Sequence, residues 1–106
     1  MGFFDLFRGV DINSRLQEAR EVKDAVIVDV RRPDEFSQGH IPGAVNIPLE
    51  SIDAAAKKIR RKETPVYTYC LAGTRSSRAA AMLRAMGYSN VTNIGGINRY
   101  KGKIER

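Results

Sequence analysis

The sequence predicts an α/β fold with a central parallel sheet and helices on both faces. Three observations predict it. Apolar, β-branched runs alternate with helix-patterned segments along the chain, the order that generates parallel strands joined by crossover helices. The first such run, Ala25 to Val30 (AVIVDV), is almost continuously apolar, as a strand covered on both sides requires. The chain has 106 residues with 42% hydrophobic content, enough for one core but too little for two. One domain over 1–106 is expected, with residues 1–11 as an N-terminal extension. There is no internal repeat, low-complexity tract or linker.

INSRLQEARE, before the first strand, reads as a helix with Asn13 or Ser14 as its cap. After AVIVDV, a short helix is opened by Pro33 and closed by Gly39. IPGAVNIP gives a turn and a short extended piece between two prolines. LESIDAAAKKIRRK reads as a helix capped by Ser51, with Ile52, Ala55, Ala56 and Ile59 on one face. PVYTY is a strand that puts Tyr67 and Tyr69 in the core. SSRAAAMLRAMGY is a helix with Ser76 and Ser77 at its cap, Ala80, Leu83 and Met86 inward, and Gly87 past its end. NVTNI is the last strand. GGINRYKGKIER opens on a glycine turn and continues into a short helix.

The net charge is +6, with one dense basic run at Lys57 to Lys62 (KKIRRK). No aromatic residues interleave it, so it reads as the solvated end of a helix rather than a nucleic-acid surface. A basic surface does favour small anions as ligands. No stretch approaches the ~18 apolar residues of a membrane span. The start, MGFFDLFRGVD, lacks the layout of a signal peptide, and Leu6 occupies the place where N-myristoylation wants Ser or Thr. Phe3, Phe4 and Phe7 are expected to cover an edge of the core. A single cysteine, Cys70, excludes an intrachain disulfide, a cysteine-rich zinc site and a C-x-x-C pair. A lone thiol suits a reducing compartment, and a cytoplasmic, monomeric protein is expected, with neither nucleic acid nor membrane as partner.

Cys70 stands at the carboxyl end of PVYTY, where parallel sheets bind their ligands. A lone cysteine in a small domain is commonly an inert filler. The loop that follows, CLAGTRS, argues for a reactive one. It leads into a helix N-terminus, which carries roughly half a positive charge and unpaired N–H groups. It contains no acid, it has Gly73 for a tight turn, and Arg75 adds a full cation. If the chain curls around the sulfur, the N–H groups of Leu71 to Ser76 form an anion nest with sulfur at its centre. Arg75 either faces the anion or buttresses the loop through Asp29 or Glu35. Asp29, acidic near a buried strand's end, needs a partner. Arg31 at the strand's exit is a candidate for the mouth of the site. His40, the only histidine, sits in a glycine-proline turn and reads as structural.

DVR after the first strand, EF, GHIPGAVNIP, YCLAGTRS, and GY followed by GG together resemble a rhodanese-like domain, from about Ile12 to Tyr100. The order of the pieces, not any one piece, carries the resemblance. It implies a parallel-sheet α/β fold and a sulfurtransferase that carries sulfur as a persulfide on Cys70. The cradle it implies falls on Leu71, Ala72, Gly73, Thr74, Arg75 and Ser76. Gly39 to Ala44 become a structural turn. Where the family often has a tryptophan after the glycine pair, this chain has Tyr100. The implied reaction takes sulfur from thiosulfate or a similar small sulfur-containing anion and gives it to cyanide or a thiol. It needs no metal or organic cofactor. With no second cysteine, the acceptor is an external thiol or protein. Two other readings compete. Cysteine phosphatases and arsenate reductases also use a thiolate–arginine cradle, but the four residues between Cys70 and Arg75 are one fewer than phosphatases use. The tighter ring suits a single sulfur better than a phosphate. The other is a non-catalytic binding module of the same fold.

Overall fold

A computed structural model of the chain describes residues 11–106. The elements, in order, are α1 (Ile12–Arg20), β1 (Val26–Asp29), α2 (Pro33–Gln38), β2 (Val45–Asn46), a 3-10 segment (Leu49–Ala54) that runs into α3 (Ala55–Lys58), β3 (Val66–Cys70), α4 (Thr74–Ala85), β4 (Val91–Gly96) and a 3-10 turn (Ile97–Arg99). The four strands form one sheet in the order β2-β1-β3-β4, and every pairing is parallel. The Phe3, Phe4 and Phe7 patch lies outside the described residues. Among the described residues no helix is long and apolar enough to cross a membrane.

The period-two alternation of the strands sorts their side chains into two cores. Ile27, Tyr67, Tyr69 and Ile94 face α1, whose Ile12, Leu16 and Ala19 complete that layer. Val28, Val30, Val66 and Cys70 face the other way, against Ile52, Ala55, Ile59 and the Ala79, Ala80, Leu83 face of α4. The central strands are therefore apolar on both sides, as the continuous AVIVDV run requires. Asp29 is the exception in that run, and it is fully buried.

Several local expectations change in the folded chain. Asp11, not Asn13 or Ser14, caps α1: its Oδ1 accepts the Ser14 N–H at 3.1 Å. Ser51 caps nothing. It has φ −121° inside the 3-10 segment, which Pro48 precedes, and the long expected helix becomes a kinked 3-10/α pair that leaves Ala56 exposed. The kink turns Ile52, Ala55 and Ile59 together onto the sheet. α4 begins at Thr74, two residues earlier than Ser76, with Gly73 at φ 105° as its N-cap. Its far end closes as expected on Gly87, also at φ 105°. There Tyr88 N–H reaches the Leu83 carbonyl and Gly87 N–H the Arg84 carbonyl, the paired bonds of a Schellman ending.

β4 runs past Ile94 through both glycines, so the pair is strand and not turn. Thr68 pairs with Asn93 and Tyr69 with Gly95, which leaves Ile94 as the extra residue of a bulge. The Asn93 side chain accepts the Gly95 N–H at 3.0 Å and holds that bulge. The basic run lies at the amino end of β3, where the Lys62 carbonyl accepts the Ser89 N–H and the Asn90 carbonyl accepts the Val66 N–H. It is at the opposite end of the strand from Cys70.

Candidate active site

β3 delivers Cys70 to the carboxyl edge of the sheet, and the loop Leu71–Gly73 turns at once into α4. Only 1% of Cys70 is exposed, so it is both a core residue and the centre of the loop. Its Sγ accepts the Gly73 N–H at 3.0 Å and the Ser76 N–H at 3.4 Å, and the Ser76 hydroxyl lies 3.4 Å away. Burial pushes the thiol up. The Ser76 hydroxyl and the N–H groups of Ser76, Gly73 and Ala72 outweigh that burial, and the net displacement is downward, toward thiolate. The nest is thus narrower than the whole-loop version: Ala72, Gly73 and Ser76 serve the sulfur. Thr74 and Arg75 occupy the first two positions of α4, where N–H groups have no intrahelical partner. The N-terminal dipole of this 12-residue helix points at the same place.

The loop is held from three sides. From below, Thr68 Oγ1 donates to the Ser76 carbonyl at 3.0 Å and ties the first turn of α4 to β3. From β4 and the 3-10 turn after it, Asn93 Nδ2 donates to the Gly73 carbonyl at 3.4 Å and the Asn98 N–H to the Leu71 carbonyl at 3.1 Å. Ser76 is wholly buried, and its hydroxyl also lies 3.1 Å from the Gly73 carbonyl and 3.4 Å from the Gly95 carbonyl. It has one proton and three acceptors in reach; a thiolate, being charged, attracts it most. From α2, the Glu35 carboxylate accepts both terminal nitrogens of Arg75, at 2.7 and 3.1 Å.

Of the predicted site residues, the structure brings Cys70 and its cradle, Leu71 to Ser76, into one ring. Leu71 and Thr74 point outward, with Leu71 48% exposed. Arg75 is paired with Glu35, the buttress role of the two foreseen. Arg31 has a different place from the one expected. It is 6% exposed and its guanidinium forks onto Asp29, with Nε–Oδ1 at 3.0 Å and Nη2–Oδ2 at 2.7 Å. Nη2 also donates to the Gly39 carbonyl at 2.7 Å, and the group lies over the Tyr69 ring. Arg31 therefore neutralises the buried Asp29 and anchors the GHIPG turn instead of lining a mouth. The Tyr69 hydroxyl accepts the Ile41 N–H at 3.1 Å on the same side. His40 stacks on Phe36 and lies in hydrogen-bond reach of its carbonyl, within the turn as expected.

Sequence reasoning missed Asn93, Gly96 and Asn98. The GG pair was visible, but its purpose was not. A Cβ on Gly96 would stand 2.6 Å from both Ala72 Cα and Asn98 Oδ1, and closer still to the Leu71 carbonyl oxygen. The loop after Cys70 lies directly on the backbone of β4, and nothing in the sequence near Cys70 signals that.

Comparison with known proteins agrees with this geometry. The model of the rhodanese-like domain matches residues 13–103. The chain belongs to the rhodanese-like domain family. It is 44% identical over 84 residues to the uncharacterized protein YqhL of Bacillus subtilis, covering 78% of this chain and 66% of that protein. It is 41% identical over 71 residues to the thiosulfate sulfurtransferase PspE of Escherichia coli, covering 66% of this chain and 68% of PspE. The chain thus spans about two thirds of the length of these relatives. A solved rhodanese with anions from E. coli superposes with a TM-score of 0.72 at 35% identity, over 77% of this chain and 98% of that one. The family's motifs therefore sit here on a rhodanese fold, with Cys70 at the loop centre. Tyr100, in place of the frequent tryptophan, packs on the α1-side core and donates its hydroxyl to the Lys103 carbonyl at 2.8 Å.

Proposed function

We propose that this protein is a sulfurtransferase that carries sulfane sulfur as a persulfide on Cys70. The observation that carries the reading is the sulfur's own shell: three N–H groups and a hydroxyl aimed at Sγ at the mouth of a helix, with no acid in the loop. The Cys70 thiolate attacks the outer sulfur of thiosulfate or a comparable donor. The S–S bond of the donor breaks, and its electron pair leaves with sulfite. Cys70 then bears a terminal sulfur of one negative charge, which the ring of N–H groups and the helix N-terminus stabilise. Cyanide or a thiolate attacks that sulfur in turn, and the electron pair of the persulfide bond returns to Cys70. The acceptor comes from outside, because the chain holds no resolving cysteine. An unpaired nucleophilic thiol suits a reducing compartment.

The test is intact mass after incubation with thiosulfate, in wild type and in Cys70→Ser. Wild type gains one sulfur and loses it on adding cyanide, with thiocyanate released; Cys70→Ser gains none. A wild type that gains no sulfur from thiosulfate or from a small persulfide would refute the reading.

A further inference from the structure

One carboxylate joins the two loops that leave the central strands. Glu35 Oε1 accepts the Arg32 backbone N–H at 3.1 Å and Arg75 Nη1 at 2.7 Å, while Oε2 accepts Arg75 Nη2 at 3.1 Å. The first bond closes the capping box of α2, just after β1. The other two seize the second residue of α4, just after β3. Glu35 and Arg75 are 40 positions apart in sequence, and their side chains are 17% and 30% exposed. Arg32 Nη1, 3.8 Å away, adds a second cation. The Arg75 hydrogen bonds, partly opposed by burial, hold the Glu35 carboxyl down at about 2, so it is ionised at any working pH.

We propose that Glu35 is a positioning residue for sulfur transfer: through its forked bond to Arg75 it fixes the loop N–H groups around the Cys70 sulfur. This rests on the sulfurtransferase reading above. A guanidinium gripped at two nitrogens can neither slide nor rotate. Arg75 immediately precedes Ser76, whose N–H and hydroxyl both lie 3.4 Å from Sγ. Freed from Glu35, the first turn of α4 keeps Thr68 but loses its charged anchor, and the sulfur's shell loosens. With two nitrogens committed to Glu35, Arg75 is also not the free cation that meets the donor. Recognition of the anion falls to the loop N–H groups and the helix end.

Glutamine at position 35 separates this role from a structural one. It is isosteric and still accepts the Arg32 N–H, so the α2 cap survives. It cannot present two charged oxygens to Arg75. For Glu35→Gln, the expected result is a folded protein whose kcat for thiosulfate falls about tenfold, with KM within about twofold. The pH midpoint for alkylation of Cys70 by iodoacetamide moves up, and Glu35→Asp, which keeps the charge, recovers part of both losses. Unchanged kcat and an unchanged alkylation profile, with a lowered thermal midpoint alone, would overturn the proposal and make the pair a structural prop. A lowered KM with the alkylation profile unchanged would also overturn it, because Glu35 would then be a competitor for the donor at Arg75. Failure of the sulfurtransferase reading shows separately, as a wild type that takes up no sulfur, and the alkylation profile still tests the hold of Glu35 on the loop.

Discussion

Gly96→Ala is a one-methyl change with a consequence that geometry alone sets. Gly96 has φ −120° and ψ 138°, ordinary strand angles that alanine adopts freely. The backbone therefore gives no reason for glycine; the space does. The added Cβ would meet Ala72 Cα and Asn98 Oδ1 at 2.6 Å, against the 3.4 Å at which ordinary contact begins, and the Leu71 oxygen more closely still. The Asn98 side chain has room to turn away. Leu71 and Ala72 are backbone and do not, so the loop must withdraw by roughly 1 Å, and overpacking of this kind costs about 1–3 kcal/mol. Withdrawal also lengthens the Asn98 N–H bond to the Leu71 carbonyl, now 3.1 Å, and carries the Ala72 and Gly73 N–H groups off the sulfur. A displacement of that size at reacting groups costs about 100-fold in rate. The assay is thiocyanate formation from thiosulfate and cyanide, run below the variant's own melting temperature so that loss of fold does not count as loss of catalysis. The expected result is kcat down about 100-fold in a protein that still melts cooperatively. A Gly96→Ala protein with wild-type kcat would refute the claim that β4 carries the loop by direct contact.

Ser76→Ala removes one donor from the sulfur and leaves the amides; thiocyanate formation near neutral pH falls about fivefold, the worth of about 1 kcal/mol. The alkylation midpoint of Cys70 shifts upward, and an unshifted midpoint would remove the hydroxyl from the account. Arg31→Ala strands the buried Asp29 and costs about 3–5 kcal/mol, a fall of roughly 15 °C or more in the thermal midpoint for a domain this size. A normal midpoint with a raised KM for thiosulfate would return Arg31 to the mouth of the site. The Glu35 carboxyl, held down at about 2 mainly by its hydrogen bonds to Arg75, is ionised and stabilising above the unfolded value near 4.5, and loses that contribution as pH falls toward 2. Glu35→Gln therefore melts below wild type at pH 6 by the equivalent of about 1–2 kcal/mol, discounted for the exposure of Arg75, and the gap closes at acid pH. A gap that stays constant to pH 2 would contradict the ion pair.

The order of elements was legible because each depends on neighbours in the chain. AVIVDV is typical of a strand buried on both faces, Pro33 and Gly39 bracket α2, and Gly87 ends α4 by a local αL turn. Cys70 and its loop were legible for the same reason: strand end, small residues, glycine and helix onset are consecutive. Cap positions were harder to read. Asp11 outcompeted Asn13 and Ser14, and Gly73 displaced Ser76, because a cap is decided by where the chain enters the helix and not by residue type alone. Ser76 turned out to face the sulfur instead, a role available only to a residue inside the first turn.

What the sequence by itself determined, then, was the sheet, the crossover helices and the thiol at the head of α4, all consequences of periodicity and of short-range turn chemistry. Which acid each of two arginines pairs with was decided only in three dimensions. Arg31 and Arg75 each follow a central strand, and each has an acid within reach. Burial of Asp29 claimed Arg31, since a carboxylate inside the core is costly unless it is paired and hydrogen-bonded. Parallel packing of β1 beside β3 then brought Glu35 across to Arg75, and the bulge at Ile94 laid Gly96 beneath the loop. Those contacts join residues 20 to 40 positions apart, and a separation of that kind has no period in a sequence.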